Sequence, residues 1–403
     1  MTRCRLGAGL VLSLTLVASV AGRTRQTGVP TGQTEVQAGA PDARQVSAAI
    51  DALGSFDFPT RTAAARTVRR APAAAAVPAL TRAAQAHADG YVRYRALVLL
   101  AGFGDDSARD VMRQLIGDGN DRLREVVYHW FEHHPDPAVV PMLVDALSHE
   151  RSEFVRPALS RALAANGDDP RVRAVLVPLV LRGEDAFRGA IIDALGDYHG
   201  GYAAQTIAEV ARLDGPLQDD AVTAIGKLGD PAMLSTLADI QRGSSRDLHP
   251  TLAAAECLLG VDCASHEDYL KKTLIFAATT DGYQSLLRGA SHALGVLAVA
   301  GHAGALDALV DRGVPATDPA RGSIALAVGL VALRNPSAML QTLEGRADRD
   351  AAIELLRDAF DLLSSEDFEQ ECFYVAVRHA YWEAPAGSAR RQVAEALIQK
   401  LGF

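Results

Sequence analysis

The sequence predicts an all-α solenoid of about ten two-helix repeats, and three observations carry that reading. Arg recurs at positions 61, 93, 124, 156 and 188, at intervals of 32, 31, 32 and 32 residues. An acidic residue stands three or four positions before each of them: Asp57, Asp89, Asp121, Glu153 and Asp185. Of the 403 residues 49% are apolar but only 5% aromatic, and no stretch sustains the period-two alternation of a strand. Such a core must come from many small Ala-, Leu- and Val-lined helix contacts. Self-similarity at this period marks stacked units along one axis, not the two or three globular domains that length alone would indicate.

Taken in order, residues 1–21 (MTRCRLGAGLVLSLTLVASVA) join a positive start, Arg3 and Arg5, to an uncharged apolar run from Leu6 to Val20. Ser19 and Ala21 supply small residues before a cleavage point at Gly22, the pattern of a secretory signal. The alternative is an uncleaved anchor or buried helix, but the run is shorter than the roughly 20 residues of a membrane span. Cys4 precedes the run, which argues against a lipid attachment site. The expected location is therefore periplasmic or extracellular, with no stable membrane insertion after cleavage. Loss of Arg3 and Arg5 would move the net charge from −9 to −11. Residues 22–43 are polar and rich in Gly, Pro, Thr and Gln, which predicts a flexible linker. Only four of the 40 basic residues are Lys, a bias that reads as a GC-rich bacterial genome rather than as function.

The repeat domain is expected over 44–403. In each unit the acid stands where a helix begins and free backbone N–H groups favour a carboxylate. The Arg can reach that carboxylate or its counterpart in the next unit. Leu195-Gly196, Leu228-Gly229, Leu259-Gly260, Leu294-Gly295 and Val328-Gly329 read as helix stops. Asp136-Pro137, Asp230-Pro231, Val77-Pro78 and Val177-Pro178 read as starts of the second helices. Beyond Arg188 the register passes through Asp220, Ala253, Arg288, Arg321 and Arg357, with intervals that stretch to 33–36 residues. Phe368 to Trp382, rich in rings and acids, and an amphipathic stretch over 388–402 form a cap at about 361–403.

The order of acid, Arg, Gly-closed apolar helix and Asp-Pro-led second helix resembles the HEAT-repeat family. It is clearest over Asp89–Leu115, Asp121–Leu147 and Asp185–Ala211. The resemblance covers residues 45–403 and is strongest from 57 to 260. It implies a right-handed α-solenoid whose inner helices line a concave face that binds protein. The first turns of those helices, with Arg93, Tyr94, Arg95, Arg124, Tyr128 and Arg156, are then the candidate partner surface.

Chemistry is scarce. His129-Trp130-Phe131-Glu132-His133 matches the H-x-x-E-H pattern of inverted zinc peptidases. Trp130 and Phe131, however, occupy the core positions of an ordinary repeat helix, and no residue downstream stands out as a third ligand. The two His are expected to flank the core and face partly outward. His149-Glu150 and His266-Glu267 resemble the His-Glu pairs of deoxyhypusine hydroxylase, which needs four. Here there are two, expected in loops and 117 residues apart. Bilin lyases share this kind of scaffold, but no residue set carries over. Phosphate-loop, C-x-x-C and G-x-S-x-G motifs are absent. No catalytic residue, metal or cofactor is assigned. The alternative is a metal-dependent enzyme or accessory domain around His129, Glu132 and His133.

Cys257 and Cys263 could form a disulfide if a helix ends between them, or could be two buried small apolar residues. Charge is uneven: residues 60–95 hold seven Arg and one acid, residues 344–371 ten acids and three Arg. This reads as solvated helix faces or as a polarised solenoid with a basic end for an acidic partner. Tyr91 and Tyr94 are too few rings for a nucleic-acid stacking platform. The expected function is a non-enzymatic protein-interaction scaffold outside the cytoplasm.

Overall fold

The structure is a computed structural model that describes residues 40–104 and 107–403. The expected signal, 1–21, and nearly all of the expected linker, 22–43, lie outside the described residues. Among the described residues there are 22 α-helices and no strand. The first are α1 (Ala43–Ala52), α2 (Phe58–Arg70), α3 (Ala73–Ala86), α4 (Gly90–Gly102), α5 (Ser107–Leu115) and α6 (Asp121–His133). Next come α7 (Val140–His149), α8 (Arg156–Ala164), α9 (Pro170–Leu179), α10 (Asp185–Asp197), α11 (Ala204–Ala211) and α12 (Gln218–Leu228). The chain continues as α13 (Leu234–Gly243), α14 (His249–Leu258), α15 (Cys263–Thr279), α16 (Gln284–Val299) and α17 (Ala303–Gly313). It ends with α18 (Ala320–Arg334), α19 (Pro336–Glu344), α20 (Arg349–Leu362), α21 (Asp367–Glu383) and α22 (Ala389–Leu401).

The even-numbered helices from α4 to α20 each pack on the next to make an inner row, and the odd-numbered helices from α3 to α19 lie outside them. Each odd-numbered helix packs on the even-numbered helix that follows it, which makes ten pairs from α1–α2 to α19–α20. Local chemistry starts the helices much as expected. Asp57 accepts from the Thr60 N–H at 2.9 Å and Asp89 from the Tyr91 N–H at 2.8 Å. At α6 the cap is Asn120, which accepts from Arg122, and Asp121 is the first helical residue. The repeat Arg residues turn backwards as well as forwards. Arg61, Arg124 and Arg156 donate to carbonyls of Ser55, Asp118 and Glu150, six residues upstream in each case. They thereby satisfy acceptors in the loop that leads into their own helix.

Two groups of expected boundaries are corrected. Gly229 and Gly260 end their helices with positive φ, 73° and 84°. Gly196, Gly295 and Gly329 instead lie inside α10, α16 and α18, where neighbouring inner helices pass closely. A Cβ on Gly196 would come within 2.9 Å of the Ala224 Cα, and one on Gly329 within 2.9 Å of the Ala359 Cβ. These glycines are contact points, not stops. Pro78 and Pro178 likewise sit inside α3 and α9, which begin at Ala73 and Pro170.

The core falls into two apolar clusters, one from Val46 to Leu259 and one from Ala253 to Phe403. Phe368 of α21 belongs to the first of these. The C-terminal region therefore does more than seal one end. α22 packs against α19 and α20, whereas α21 lies against α4 and α18 and bridges distant parts of the stack. Burial of the Phe368 ring contributes about 1.5–3 kcal/mol to that bridge. No single helix among the described residues is long and apolar enough to cross a membrane.

Candidate functional site

Where α21 closes over the inner row, six helices bring ionisable side chains together. Glu132 of α6 is 2% exposed and accepts from Arg161 of α8 at 2.7 Å and from the Tyr198 hydroxyl at 2.8 Å. Arg334 of α18 lies 3.4 Å from the same oxygen, across 202 residues of sequence. Arg161 also donates to Asp197 of α10 at 2.8 Å, and Lys227 of α12 joins Asp193 and Asp197 at 2.8 and 2.7 Å. On the other side, His129 Nδ1 stands 3.1 Å from Glu132 and 3.5 Å from Glu369 of α21. His133 Nε2 meets Glu369 at 3.0 Å. Phe368 lies over both imidazoles, with ring centroids 5.7 and 5.6 Å away.

His129 and His133 therefore face inward, contrary to expectation, because α21 covers them. Trp130 and Phe131 are buried core residues as expected. The helix pairing also supplies a carboxylate beside the two His, Glu369, that sequence reasoning did not single out. Glu132 is held as a carboxylate by its partners. Burial pushes its carboxyl up, but the Arg161 charge, the His129 hydrogen bond, and the His133 and Arg334 charges outweigh that and hold it well below the usual range. A general base works best with its pKa near the operating pH.

The cluster makes stability depend on pH in two directions. Burial raises Asp197, but Lys227 and Arg161 more than reverse this, so its folded value lies below the ordinary 3.8, as that of Glu132 lies below 4.5. These carboxylates contribute stability above their unfolded values and lose it as pH falls through the folded ones. His129 is opposite: burial lowers it, but Glu132 and Glu369 raise it above 6.5 overall. Its contribution is complete below 6.5 and disappears as pH rises through the folded value. Thermal midpoints measured from pH 3 to 9 are expected to fall at both ends. Asp197→Asn should flatten the acid limb and His129→Gln the alkaline limb; unchanged limbs in both variants would exclude this assignment.

The six residues expected to form a partner surface are engaged within the chain. Tyr94 and Tyr128 are 4% and 1% exposed, with hydroxyls donating to Asp367 and to the Ile116 carbonyl. Arg95 pairs with Asp367, and Arg93 with Asp118 at 2.6 Å. Arg124 makes a two-pronged contact with Glu150, both bonds at 2.8 Å, and Arg156 lies over the Phe187 ring. These side chains are thus held by α21 and by contacts between neighbouring helix pairs. The basic segment 60–95 has its acidic counterpart in the same molecule, since Arg69 joins Glu371 at 2.6 Å and Arg95 joins Asp367.

Other candidates stay apart. Glu150 is taken by Arg124, while His149 is exposed at the end of α7. His266 and Glu267 lie in the first turns of α15, not in a loop, and pair with Glu256 and Lys271. Cys257 and Cys263 are joined by a disulfide with Cα atoms 4.2 Å apart, across the turn between α14 and α15.

A second part of the inner row is open. Between α10, α12 and α16 a cavity of about 540 Å³ is lined by Asp185, Gly189, Asp193, Asp220, Thr223 and His292. Three carboxylates give it a negative lining, partly offset where Arg188 meets Asp185 and where Lys227 and Arg161 meet Asp193. Asp185 and Asp220 stand at repeat-register positions, but no sequence motif marked Asp193, Thr223 or His292. They lie on three inner helices, α10, α12 and α16, and only the stacking brings them together.

HEAT repeats match residues 46–129 and 115–196. No curated protein matches the chain. Among solved structures it is similar to the Escherichia coli protein YibA, at 17% identity over 54% of this chain and 81% of that one, with a TM-score of 0.40. It is also similar to human deoxyhypusine hydroxylase, at 18% identity over 63% and 95% of the two chains and a TM-score of 0.28. The phycocyanin lyase complex of CpcE and CpcF from Nostoc sp. gives 18% identity, 83% and 100% coverage, and 0.26. At these scores no activity transfers from any of them. Residues 46–196 match HEAT repeats, and the helix pairs that follow continue the same stack, so the described residues form an all-α solenoid of HEAT-like helix pairs.

Proposed function

We propose that the chain is a non-enzymatic binding scaffold acting outside the cytoplasm, and that it takes a basic segment of a partner protein in the open arc of its concave face. The observation that carries this is the acidic cavity between α10, α12 and α16. It stays open while the neighbouring arc is filled by α21. Negative lining raises the local concentration of a cationic segment and favours its encounter. The Cys257–Cys263 disulfide supports export, because such bonds persist mainly in oxidising compartments. The enzyme alternative around His129, Glu132 and His133 gains a nearby Glu369, yet Glu132 is consumed by Arg161 and Tyr198.

Photo-crosslinking residues placed at Ala186 and Ala190, which line the cavity, and at exposed Gln241 on α13 test the proposal in cells making the full chain. A reproducible protein adduct from Ala186 or Ala190, weakened by Asp185→Asn/Asp220→Asn and by added salt, is expected. Adducts from Gln241 alone, or adducts indifferent to both changes, would overturn the proposed face.

A further inference from the structure

We propose that His133 of α6 and Glu369 and Cys372 of α21 form a site for one divalent transition-metal ion of the zinc class, which clamps α21 onto α6. The three donor atoms already lie within 4.8 Å of one another. Glu369 and Cys372 stand three residues apart on α21, so they share a helix face, and His133 comes to that face from the C-terminal turn of α6. Glu369 is 2% exposed, and its two oxygens differ. Oε1 is 3.0 Å from His133 Nε2, whereas Oε2 is buried with no hydrogen-bond partner. A buried carboxylate oxygen without a donor is an unfavourable arrangement that a cation would relieve.

The donor set selects the ion. One imidazole nitrogen, one carboxylate oxygen and one thiolate sulfur suit zinc, whereas calcium and magnesium take oxygen ligands throughout. Tetrahedral zinc, with bonds of about 2.0–2.3 Å, holds its donors about 3.5 Å apart, so the present spacing needs only small side-chain adjustments. On binding, Cys372 releases its thiol proton and His133 ligates through a neutral nitrogen, so protons pass to solvent as the ion enters. His129 is a positioning residue: it stands 3.5 Å from Glu369 and is itself anchored by Glu132. Phe368 supplies an apolar cover beside both imidazoles. The other sulfur-rich cluster, Cys257, Cys263 and His302, has both thiols committed to the disulfide.

The test uses the full chain, oxidised and freed of metal by chelation, titrated with zinc by calorimetry and with cobalt by absorbance. One equivalent is expected to bind, with proton release and a sulfur-to-cobalt charge-transfer band. Cys372→Ser should remove the band, and both it and Glu369→Gln should weaken zinc binding at least about tenfold. Cys257→Ser/Cys263→Ser should retain the band. A measurement on the unmodified protein stands beside the variants: saturating zinc should slow alkylation of Cys372 at least about tenfold, because the bound thiolate is shielded. Absence of stoichiometric binding, a band lost only in the Cys257/Cys263 variant, or alkylation of Cys372 unaffected by zinc would each overturn the site.

Discussion

Glu132→Ala is expected to lower the unfolding free energy by about 3–5 kcal/mol, the range for removing one partner from a buried ion pair. The side chain of Glu132 is fully inaccessible, and that of Arg161 is 8% exposed. Without the carboxylate, Arg161 keeps only Asp193 and Asp197 at the solvent edge of the cluster, and Tyr198 loses its acceptor. Arg334 is 30% exposed, so its share of the loss is small. Glu132→Gln retains an acceptor for Tyr198 and should cost about 1–3 kcal/mol. Urea unfolding followed by circular dichroism measures both. The pair is further separated from its surroundings by Glu132→Leu/Arg161→Leu, which removes both charges and should cost less than the sum of the single changes. An Ala variant within about 0.5 kcal/mol of the wild type would mean that water already screens the cluster, and the closed arc would then need another explanation.

The stack was readable because its signals are local and repeat. An acid at a helix start, an Arg three or four residues on and an apolar stripe each act within one turn, and their recurrence at 31–32 residues averages out accidents. Single-residue punctuation was less secure. Gly at the end of an apolar run serves equally as a left-handed cap, as at Gly229, or as a point of close helix approach, as at Gly196. Only the neighbouring helix decides between them. The candidate site was hardest to read. Glu132 and Arg334 meet across 202 residues, and His133 and Glu369 across 236, with no period linking them. One trace was present: the basic segment 60–95 and the acidic segment 344–371 are complementary. Treating each as a face for solvent or for an outside partner hid the simpler outcome, that they meet each other.

That meeting gives the second large effect. Glu371→Arg is expected to detach α21 from α2 and α4, at a cost of about 3–5 kcal/mol to the closed arrangement. Arg69 holds Glu371 through two bonds, 2.8 and 2.6 Å, and the side chains are 8% and 2% exposed. Arg378 adds a contact at 3.3 Å. The substitution would place a third guanidinium between two others in a space tightly bounded by α4, where a Cβ on Gly102 would come within 2.6 Å of the Glu371 carboxylate. Asp367, which holds Tyr94 and Arg95, lies one turn earlier on α21 and would be pulled away with it. Small-angle scattering should then show a larger radius of gyration, and proteases should gain access to the 363–366 connection. Arg69→Glu combined with Glu371→Arg restores opposite charges and should recover much of the compact profile. If Glu371→Arg scatters like the wild type, apolar contacts around Phe368 are sufficient to hold the arc closed. If it opens and the exchanged pair stays open too, the fork geometry of Arg69 on α2, rather than charge sign alone, sets the closure.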